Sequence, residues 1–551
     1  MNLQMNIEAL GYLWQGTYSS NNTYTDRDVV FKDGGSYVMR NGAWEPFALG
    51  QRDAVTKGHM LTGGTSVGGI DGQALHSNVG DSIEFRYTDD RNGTTVARLM
   101  ETVQNHRGGY ATNRFGMFVM TDGTVRGIGR ADSGQLGDGI TASAQGHWTA
   151  SRTVFPKGVK IARVICTWAN SFYIDTTGGL WYSGSNDANC MSGRGLTGVV
   201  RTPVKLNGFS GIPANAKIVD VHCHYGNTNY PTPMARDDQG RVYVWGYNQT
   251  GCAGLGVTGV ITTATLIPIT ATVPMKYAVT NGGYYGASCL IDYNGYAWTC
   301  GDNALSYNTT SSHTVHNRLD LGGRRVKKMF WGEDDQHWVA GQQYDWGAGI
   351  LFENGDVYIR GVGAGQTGMG YSMAGDLPPT GTPFHTGVKD IWVQFGGYQV
   401  AIALMNDGTV QARGYQGFNI NGANSTDTTT WATIGAGYLT NITKLVINGA
   451  QYGSTGAALR SDGQLVVWGG GLAGQAGNGL FTESQMPNSF FLSERPIVDF
   501  AFGGFRYEGT HNNVVYALND LGQVLVSGQG EYSMNGDDDS ENTGTPQIVR
   551  F

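Results

Sequence analysis

A turn sequence with a central glycine recurs eight times along the chain, at intervals of about 53 to 61 residues. The first copy, "TDGTVRGIGRADSGQLGDG", begins at Thr121, and a later one, "SDGQLVVWGGGLAGQAGNG", begins at Ser461. Aligned on the turn, the eight copies share one glycine position: Gly123, Gly179, Gly240, Gly295, Gly355, Gly408, Gly463 and Gly522. A fixed period of this size, with length variation confined to loops, is typical of solenoids, propellers and repeat arrays.

Each repeat has the pattern of about four short β-strands. A first run such as "VKDIWVQF" from Val388 is followed by "AIALMNDG" from Ala401, which leads into the turn. Asp-Gly or Asn-Gly there supplies the positive φ that a tight hairpin needs. A third run such as "RVYVWG" from Arg241 suits a pleated surface, and a glycine-rich corner and an edge segment, "TPVKL" from Thr202, follow it. Because four-stranded sheets repeated radially form propellers, the sequence predicts an all-β propeller.

The repeat resembles the blade of the regulator of chromosome condensation propellers, which carries a Trp-Gly step and a Gly-Gln-Leu-Gly corner. Gly134–Gly137 matches the corner fully, and 365–368 and 474–477 match it in part. Trp245 and Trp468 precede the glycine of the step. The resemblance covers residues 97–551 and implies the fold, whereas function depends on sites carried by a fold.

The number of blades follows from the two ends of the repeat region. The run "ARLMETVQ" from Ala97 can open the first unit, and "TPQIVRF" from Thr545 can close the last. We therefore expect eight blades, with seven, the usual count for the family, as the alternative.

Residues 1–48 lie outside the repeat and resemble the small aromatic β-module of chitin-binding-type carbohydrate-binding domains. Similar stretches are common near the ends of bacteriophage tail and fibre proteins. We expect three strands there, at Trp14–Tyr18, Arg27–Phe31 and Ser36–Val38. The aromatic residues assigned to this docking module are Trp14, Tyr18, Tyr24, Tyr37 and Trp44. They form either the core of a very small sheet or a virion-docking or carbohydrate-binding surface.

Residues 49–96 are predicted to be a glycine-rich linker that carries a hairpin with its turn at Asn92-Gly93. The domain organisation is therefore a β-module over 1–48, this linker over 49–96, and the propeller of eight repeats over 97–551.

Composition and charge limit the partners. Charged residues make up 15% of the chain, against about 25% in typical domains, and 86 residues are glycine. A net charge of −8 argues against a sequence-independent grip on nucleic-acid phosphates, so no nucleic-acid partner is expected. The chain has no apolar run of about 18 residues, and its start has no basic region followed by an apolar one. We therefore expect neither a membrane span nor a secretory signal.

No motif for catalysis or metal binding stands out. A P-loop and an H-E-x-x-H motif are both missing, so we expect no enzymatic activity, no catalytic residue and no cofactor. The six cysteines form no C-x-x-C pair and are interpreted as buried free thiols. In "HCH" at 222–224, strand alternation sends the two histidines to one face and the cysteine to the other, so no metal site is expected. The carboxylate runs 333–335 and 537–539 are interpreted as solvated loops rather than Ca²⁺ sites.

An aromatic residue follows the first predicted strand in six repeats, often behind a pair of glycines. These residues are Tyr110, Tyr225, Tyr284, Tyr398, Tyr452 and Phe505, and Trp331 is a looser match in another repeat. Because equivalent positions in successive blades lie on one ring around the axis, we expect the aromatic side chains to encircle one face. Either each ring closes the turn of its own blade, or together they form a platform on which sugar rings stack.

Taken together, these features favour a bacteriophage virion structural protein, such as a tail fibre, spike or head appendage. Such a protein is made in the host cytoplasm and lies at the tail or capsid surface, as a homo-oligomer in the particle. Its N-terminal module would contact other virion proteins, and its propeller would bind a glycan or receptor on the host surface. A secreted bacterial propeller acting as a binding module or inhibitor, and a nucleotide-exchange-type propeller, are the alternatives.

Overall fold

The computed structural model describes eight strands within residues 13–87 and most of the chain from Thr95 onward. The described ranges beyond residue 94 are 95–102, 115–140, 147–167, 169–186, 191–223, 231–281, 286–301, 313–332, 347–361, 382–394, 400–414, 420–422, 428–448, 455–471, 473–503, 514–530, 534, 541–549 and 551. Contacts between Cα atoms divide the chain into two compact units. One comprises Met1–Ala97, Met120–Asp122 and Arg550–Phe551, and the other comprises Arg98–Val119 and Gly123–Val549.

The N-terminal region holds a four-stranded sheet and two small hairpins. The sheet consists of β1 (Leu13–Thr17), β2 (Asp28–Lys32), β3 (Gly35–Arg40) and β4 (Ala43–Pro46), in that order. The hairpins pair β5 (His59–Met60) with β6 (Ser66–Val67), and β7 (Gln73–Asn78) with β8 (Ser82–Tyr87). The first two strands of the sheet run parallel and the others antiparallel. A fourth strand thus follows the three that the sequence predicts, because β3 and β4 form a further hairpin.

Eight sheets follow one another between Val96 and Ile548 and form an eight-bladed β-propeller. Blade 1 has β9 (Val96–Leu99), β11 (Phe115–Met120), β12 (Val125–Gly129) and β13 (His147–Arg152), and β10 (Glu101–Thr102) pairs instead with blade 2. Blade 2 has β14 (Ile161–Cys166), β15 (Asn170–Asp175), β16 (Leu180–Gly184) and β17 (Val200–Lys205). Blade 3 has β18 (Ile218–His222), β19 (Met234–Asp237), β20 (Val242–Gly246) and β21 (Ile261–Leu266). Blade 4 has β22 (Met275–Asn281), β23 (Ala287–Asp292), β24 (Ala297–Gly301) and β25 (His313–Arg318).

The remaining blades repeat this order. Blade 5 has β26 (Val326–Gly332), β27 (Gly347–Phe352) and β28 (Val357–Gly361), with an isolated bridge from Val357 to His385 at its outer edge. Blade 6 has β29 (Val388–Gln394), β30 (Val400–Met405), β31 (Val410–Gly414) and β32 (Thr428–Thr433). Blade 7 has β33 (Ile442–Asn448), β34 (Thr455–Arg460), β35 (Leu465–Gly471) and β36 (Thr482–Gln485). Blade 8 has β37 (Ile497–Gly503), β38 (Val514–Asn519), β39 (Val524–Gly528) and β40 (Thr543–Ile548).

This architecture confirms the predicted all-β propeller and its eight blades, and it rules out the alternative of seven. The described residues contain no α-helix. None of them forms a helix long and apolar enough to cross a membrane.

The glycines at the tight turns have a left-handed backbone conformation. In seven of the eight predicted positions the glycine has positive φ, from +73° at Gly240 to +88° at Gly355. The prediction of Gly179 is wrong by one residue, because Gly178 adopts the left-handed conformation at φ +85°. Gly179 instead donates its N–H to Asp175 Oδ1 at 2.8 Å, and a Cβ there would lie 2.3 Å from Oδ2 of the same carboxylate.

The carbonyl oxygens of seven of the eight turn glycines each accept a backbone hydrogen bond from the first residue of the next blade. The bonds run from Ile161 to Gly123, Ile218 to Gly178, Met275 to Gly240, Val326 to Gly295, Val388 to Gly355, Ile442 to Gly408 and Ile497 to Gly463, over 2.8 to 3.4 Å. The turn therefore shapes its own hairpin and also sets the height at which the following blade begins.

The hydrophobic core lies between neighbouring blades. Phe172 and Tyr182 of blade 2 pack in one buried cluster with Trp245 of blade 3, and other clusters join blades 6 and 7, and blades 7 and 8. Blade 8 meets blade 1 where the rings of Tyr516 and Phe118 lie 5.3 Å apart, edge to face. Burial of this aromatic and aliphatic surface is the main force that closes the ring of blades.

Candidate functional site

The antiparallel blades give the propeller two unlike faces. The first strand of each blade ends, and the second begins, at one face, which we call the loop face. The tight turns between second and third strands lie at the opposite face, the turn face, together with the start of each first strand. All connections between first and second strands and between third and fourth strands therefore begin and end at the loop face.

The aromatic residues predicted to encircle one face fall in connections that begin and end at the loop face. Each of the six lies between the first and second strands of its blade: Tyr110, Tyr225, Tyr284, Tyr398, Tyr452 and Phe505. All six lie outside the described residues, so their predicted platform stays a prediction. The looser match, Trp331, lies within β26 and is fully buried, which makes it a core residue of blade 5.

Three of the five docking-module residues fall on the N-terminal sheet. Trp14 lies in β1, Tyr37 in β3 and Trp44 in β4, whereas Tyr18 and Tyr24 lie outside the described residues. Tyr37 is opposite Pro46, and Met39 is opposite Trp44, in the register of the β3–β4 hairpin. The docking role of these residues stays a prediction.

Five of the corners before the fourth strands are fixed by a hydrogen bond from the next blade. The Nε1 atoms of Trp245 and Trp468 donate to the carbonyl oxygens of Met191 and Ile420, both over 2.9 Å. Serine hydroxyls donate at three other junctions: Ser171 to Gln135 O at 2.7 Å, Ser288 to Cys252 O at 2.6 Å and Ser527 to Gly474 O at 2.7 Å. One face of the propeller is thus held by polar contacts between blades.

The matching corner sequences have a defined local structure. Gly134 and Gly137 have φ of +73° and +66°, and the buried Gln135 between them accepts a bond from Ser133 N at 2.9 Å. The corner at 474–477 repeats this, since the buried Gln475 accepts from Ala473 N at 3.0 Å. The corner at 365–368 lies outside the described residues.

A row of polar side chains runs around the inner strands, and sequence reasoning missed it. First strands of successive blades from blade 3 to blade 6 contact one another, which places them nearest the axis. Seven of them show an irregularity of register just before their third residue, and a bulge of this kind re-aims a side chain. We call the third residues the axial charge row: Arg98, Arg163, Asp220, Tyr277, Lys328, Asp390, Lys444 and Asp499.

Members of the axial charge row pair with the next blade. Arg163 bridges Asp220 at 3.2 Å, Lys328 bridges Asp390 at 2.9 Å and Lys444 bridges Asp499 at 2.6 Å. The cations also donate to backbone carbonyls of the next blade, as Lys444 does to Phe500 O at 2.6 Å. Burial first, and then the negative charges of Asp220 and Asp390, raise the pKa of Tyr277 above its usual range. These pairs therefore tie together the inner strands of blades 2 and 3, blades 5 and 6, and blades 7 and 8.

A buried cluster at the junction of blades 3 and 4 brings together groups that are nucleophiles in other settings. His316 Nε2 lies 2.9 Å from Ser288 Oγ and 3.4 Å from Cys300 Sγ. Burial lowers the pKa of His316 to about 3 and raises the pKa of Cys300 well above its usual range. Both groups are therefore neutral at pH 7, and Ser288 is bonded to Cys252 O, so the cluster is an interblade contact.

Five cysteines are buried with free thiols, in agreement with the sequence interpretation, and Cys190 lies outside the described residues. Within the described part of the chain, no three His, Cys, Asp or Glu side chains are grouped so as to hold a metal ion. His222 of the "HCH" run accepts a bond from Thr280 N at 3.3 Å, and His224 lies outside the described residues. The carboxylate runs 333–335 and 537–539 lie outside them as well.

Known structures resemble this chain in fold. Human WBSCR16 matches with a TM-score of 0.43 and 17% identity, over 81% of this chain and 94% of the other. Prp20p from Saccharomyces cerevisiae matches with a TM-score of 0.46 and 14% identity, over 82% of this chain and 91% of the other. The same yeast propeller, described as yeast RCC1 and bound to Kap60, matches with a TM-score of 0.45. At these identities the similarity concerns the fold alone. No protein-family model matches the chain.

Proposed function

We propose that this chain is a non-enzymatic binding protein of a bacteriophage particle, whose propeller presents its loop face to a glycan or receptor on the host surface. The observation that carries the proposal is the separation of the two faces. The turn face holds tight turns tied to the next blade by backbone bonds, whereas the loop face receives two connections from each blade that has four described strands. Binding residues are found disproportionately on loops positioned by a rigid scaffold.

The contacts between blades supply that rigidity. Trp245 and Trp468 are fully buried, and each anchors the corner of the preceding blade. A site held by buried hydrogen bonds loses little conformational entropy when a ligand binds. His316 and Cys300 are buried at the junction of blades 3 and 4, where a substrate in solution does not reach them, which supports a binding role over a catalytic one.

The virion context is proposed from composition and from the N-terminal module. Low charge and abundant glycine suit a particle protein that displays neutral loops, and the aromatic module at residues 1–48 would contact other virion proteins. Aromatic residues in six first-to-second connections of the loop face would stack on sugar rings, since flat apolar faces pack on aromatic faces.

Binding is tested with the labelled whole protein on a panel of bacterial cells and their extracted lipopolysaccharide and capsule. We expect the double variant Tyr284→Ala, Tyr398→Ala to lose binding with an unchanged melting temperature. Tyr293→Ala is the matched control, because Tyr293 is a 62% exposed tyrosine at the turn face of the same blade as Tyr284. Wild-type protein that binds no cell or extract would refute host attachment, and a large loss of melting temperature in the double variant would assign both rings a structural role.

Incorporation into a particle is tested separately. An antibody against residues 121–139 should decorate the tail or capsid surface of the parent particle in negative-stain images. A variant that starts at Val96 should be soluble and β-rich by circular dichroism, yet absent from assembled particles. Normal incorporation of this variant would contradict the docking role of residues 1–48.

The resemblance of the repeat provides a second candidate, a nucleotide-exchange-type propeller. Prp20p binds Gsp1p and histones, so both are suitable probes. Pull-down with Gsp1p and with histones, followed by a measurement of fluorescent-nucleotide release from Gsp1p, separates the candidates. Virion attachment predicts neither binding nor accelerated release, whereas accelerated release would favour the exchange factor.

A further inference from the structure

A cleft opens on the turn face at the end of blade 4, away from the connections of the loop face. Tyr296 and Ala297 form one wall at the start of β24, and Arg318 and Leu319 follow at the end of β25. The connection towards blade 5 completes the cleft with Asp320 and Arg324. The space within it is about 180 Å³.

Aromatic rings hold both guanidinium groups of the cleft. The Arg318 guanidinium carbon lies 3.5 Å from the centroid of the Tyr296 ring. The Arg324 guanidinium lies 4.8 Å from the ring of Phe352 and 4.9 Å from that of Tyr358, both in blade 5. Stacking on a ring occupies the face of a guanidinium and leaves its in-plane N–H donors directed outward. The N–H donors of Arg318 match a carboxylate, which can accept two parallel hydrogen bonds.

Asp320 gives the same cleft an acceptor of opposite charge. Its Oδ1 accepts a bond from Gly322 N at 3.1 Å, which orients the carboxylate. Among the described residues, no carboxylate oxygen lies within 4 Å of a guanidinium nitrogen of Arg318. Asp320 and Arg318 therefore do not form an ion pair with each other. A carboxylate in the cleft repels simple anions but accepts hydrogen bonds from hydroxyl groups. The cleft therefore suits a ligand that has both an anionic group and hydroxyl groups.

We propose that this cleft binds the ring of an acidic sugar of the hexuronic acid class. The sugar carboxylate pairs with Arg318, and ring hydroxyls donate to Asp320. Drug-sized ligands occupy pockets of about 300 to 1,000 Å³, so the smaller space suits a single sugar ring. The site lies on the opposite face from the proposed host-binding loops and does not depend on that function.

Binding is tested by titration calorimetry or saturation-transfer NMR on the whole protein, with glucuronate as the probe. Glucose is the matched neutral sugar and sulfate the matched simple anion. We expect wild-type protein to prefer glucuronate over both. Arg318→Gln should weaken glucuronate binding by about tenfold or more, because a hydrogen bond to a charged group is lost. Asp320→Asn should weaken glucuronate binding and strengthen sulfate binding, since the variant removes the hydroxyl acceptor and the repulsion together.

Lys205→Gln is the matched control for the arginine variant. Lys205 ends the fourth strand of blade 2 and lies 5.7 Å from the ring of Trp181, away from the cleft. This variant should keep wild-type affinity for glucuronate, and melting temperatures of all variants report on folding. Equal affinity for glucose and glucuronate, no detectable glucuronate binding, or unchanged affinity in a folded Arg318→Gln variant would each overturn the proposal. Host-cell binding is measured on the same variants. A failure of the proposed glucuronate site is thereby distinguished from a failure of the proposed host attachment.

Discussion

The indole Nε1 of Trp245 in blade 3 donates a 2.9 Å hydrogen bond to the carbonyl oxygen of Met191 in blade 2. Trp468 makes the same bond to Ile420 between blades 6 and 7. In the sequence the Trp-Gly pair marks the end of a strand. In the structure its tryptophan forms a contact between two blades. Its tryptophan fills the core and holds the corner of the neighbour.

Replacing Trp245 by Phe should destabilise the propeller by about 2 to 4 kcal/mol. The variant leaves a cavity and also leaves the buried Met191 oxygen without its donor. Chemical denaturation measures the change. Trp298→Phe is the control, because Trp298 is half-buried and its bond to Asp292 is long, at 3.4 Å. A similar loss in both variants would show that the interblade bond adds nothing.

Gly463→Ala should destabilise more than Gly437→Ala, by about 1 to 3 kcal/mol. Both glycines have φ of +82°, so an alanine meets the same backbone strain at either position. A Cβ at Gly463 would lie 2.6 Å from Pro496 Cβ and 2.9 Å from its Cα, whereas a Cβ at Gly437 meets no atom within 4 Å. The difference between the two losses of unfolding free energy, obtained from thermal melts, therefore measures the contact of the turn with the next blade. Equal losses would contradict that contact.

The Lys444–Asp499 pair should contribute about 1 kcal/mol of coupling energy in a double-mutant cycle with Lys444→Met and Asp499→Asn. The two side chains are 40% and 31% exposed, so solvent screens the pair and added salt should reduce the coupling. Lys444 also donates to Phe500 O, so Lys444→Met alone should cost more than Asp499→Asn. The Arg495–Asp520 pair, within one blade, serves as the comparison. Coupling no larger than in that pair would remove the axial charge row as a link between blades.

Acidification should unfold the protein partly through two histidines, the buried His316 and the half-buried His222. Burial lowers the pKa of His316 and of His222 to about 3, below the value of 6.5 for an exposed histidine. As pH falls from 6.5 towards 3, the unfolded chain takes up the protons first, so folding loses up to about 1.4 kcal/mol per pH unit for each residue. Above pH 6.5 this contribution is constant.

Urea denaturation at several pH values compares wild type with His316→Gln. The variant should be less stable at pH 7 but should lose less stability on acidification. The slope of its unfolding free energy against pH should be smaller than in wild type by the contribution of one histidine. His222→Gln should remove a similar share. A variant with the wild-type slope would show that His316 can be protonated within the folded protein.

Much of the fold could be predicted because its signals are local. Gly123 and Gly463 mark turns that only glycine adopts readily, and the period between such turns sets the blade count. The displacement from Gly179 to Gly178 has a local cause as well, since two adjacent glycines offered the same signal and the Asp175 carboxylate selected one register.

The contacts between blades could not be predicted from the repeat pattern. Arg163 and Asp220 lie in different repeats, and neither residue type recurs regularly at its position. Alignment of the copies on the start of the first strand, rather than on the turn, would have revealed the row. The cleft depends on how a connection returns past Tyr296, a path that repeat periodicity does not specify.

Apart from β10, which the segment of blade 1 adds to the sheet of blade 2, each blade is built from one continuous segment of chain, and the outer strand β40 follows β39 in blade 8 just as β17 follows β16 in blade 2. The circle is thus closed by side-chain packing between Tyr516 and Phe118 and not by a strand borrowed across the seam. Duplication or deletion of one segment from blade 3 onward would therefore add or remove a whole blade, whereas deletion of the blade 1 segment would also take β10 from the sheet of blade 2. The number of blades can therefore change one blade at a time during evolution, provided that the first and last blades still pack aromatic side chains against each other.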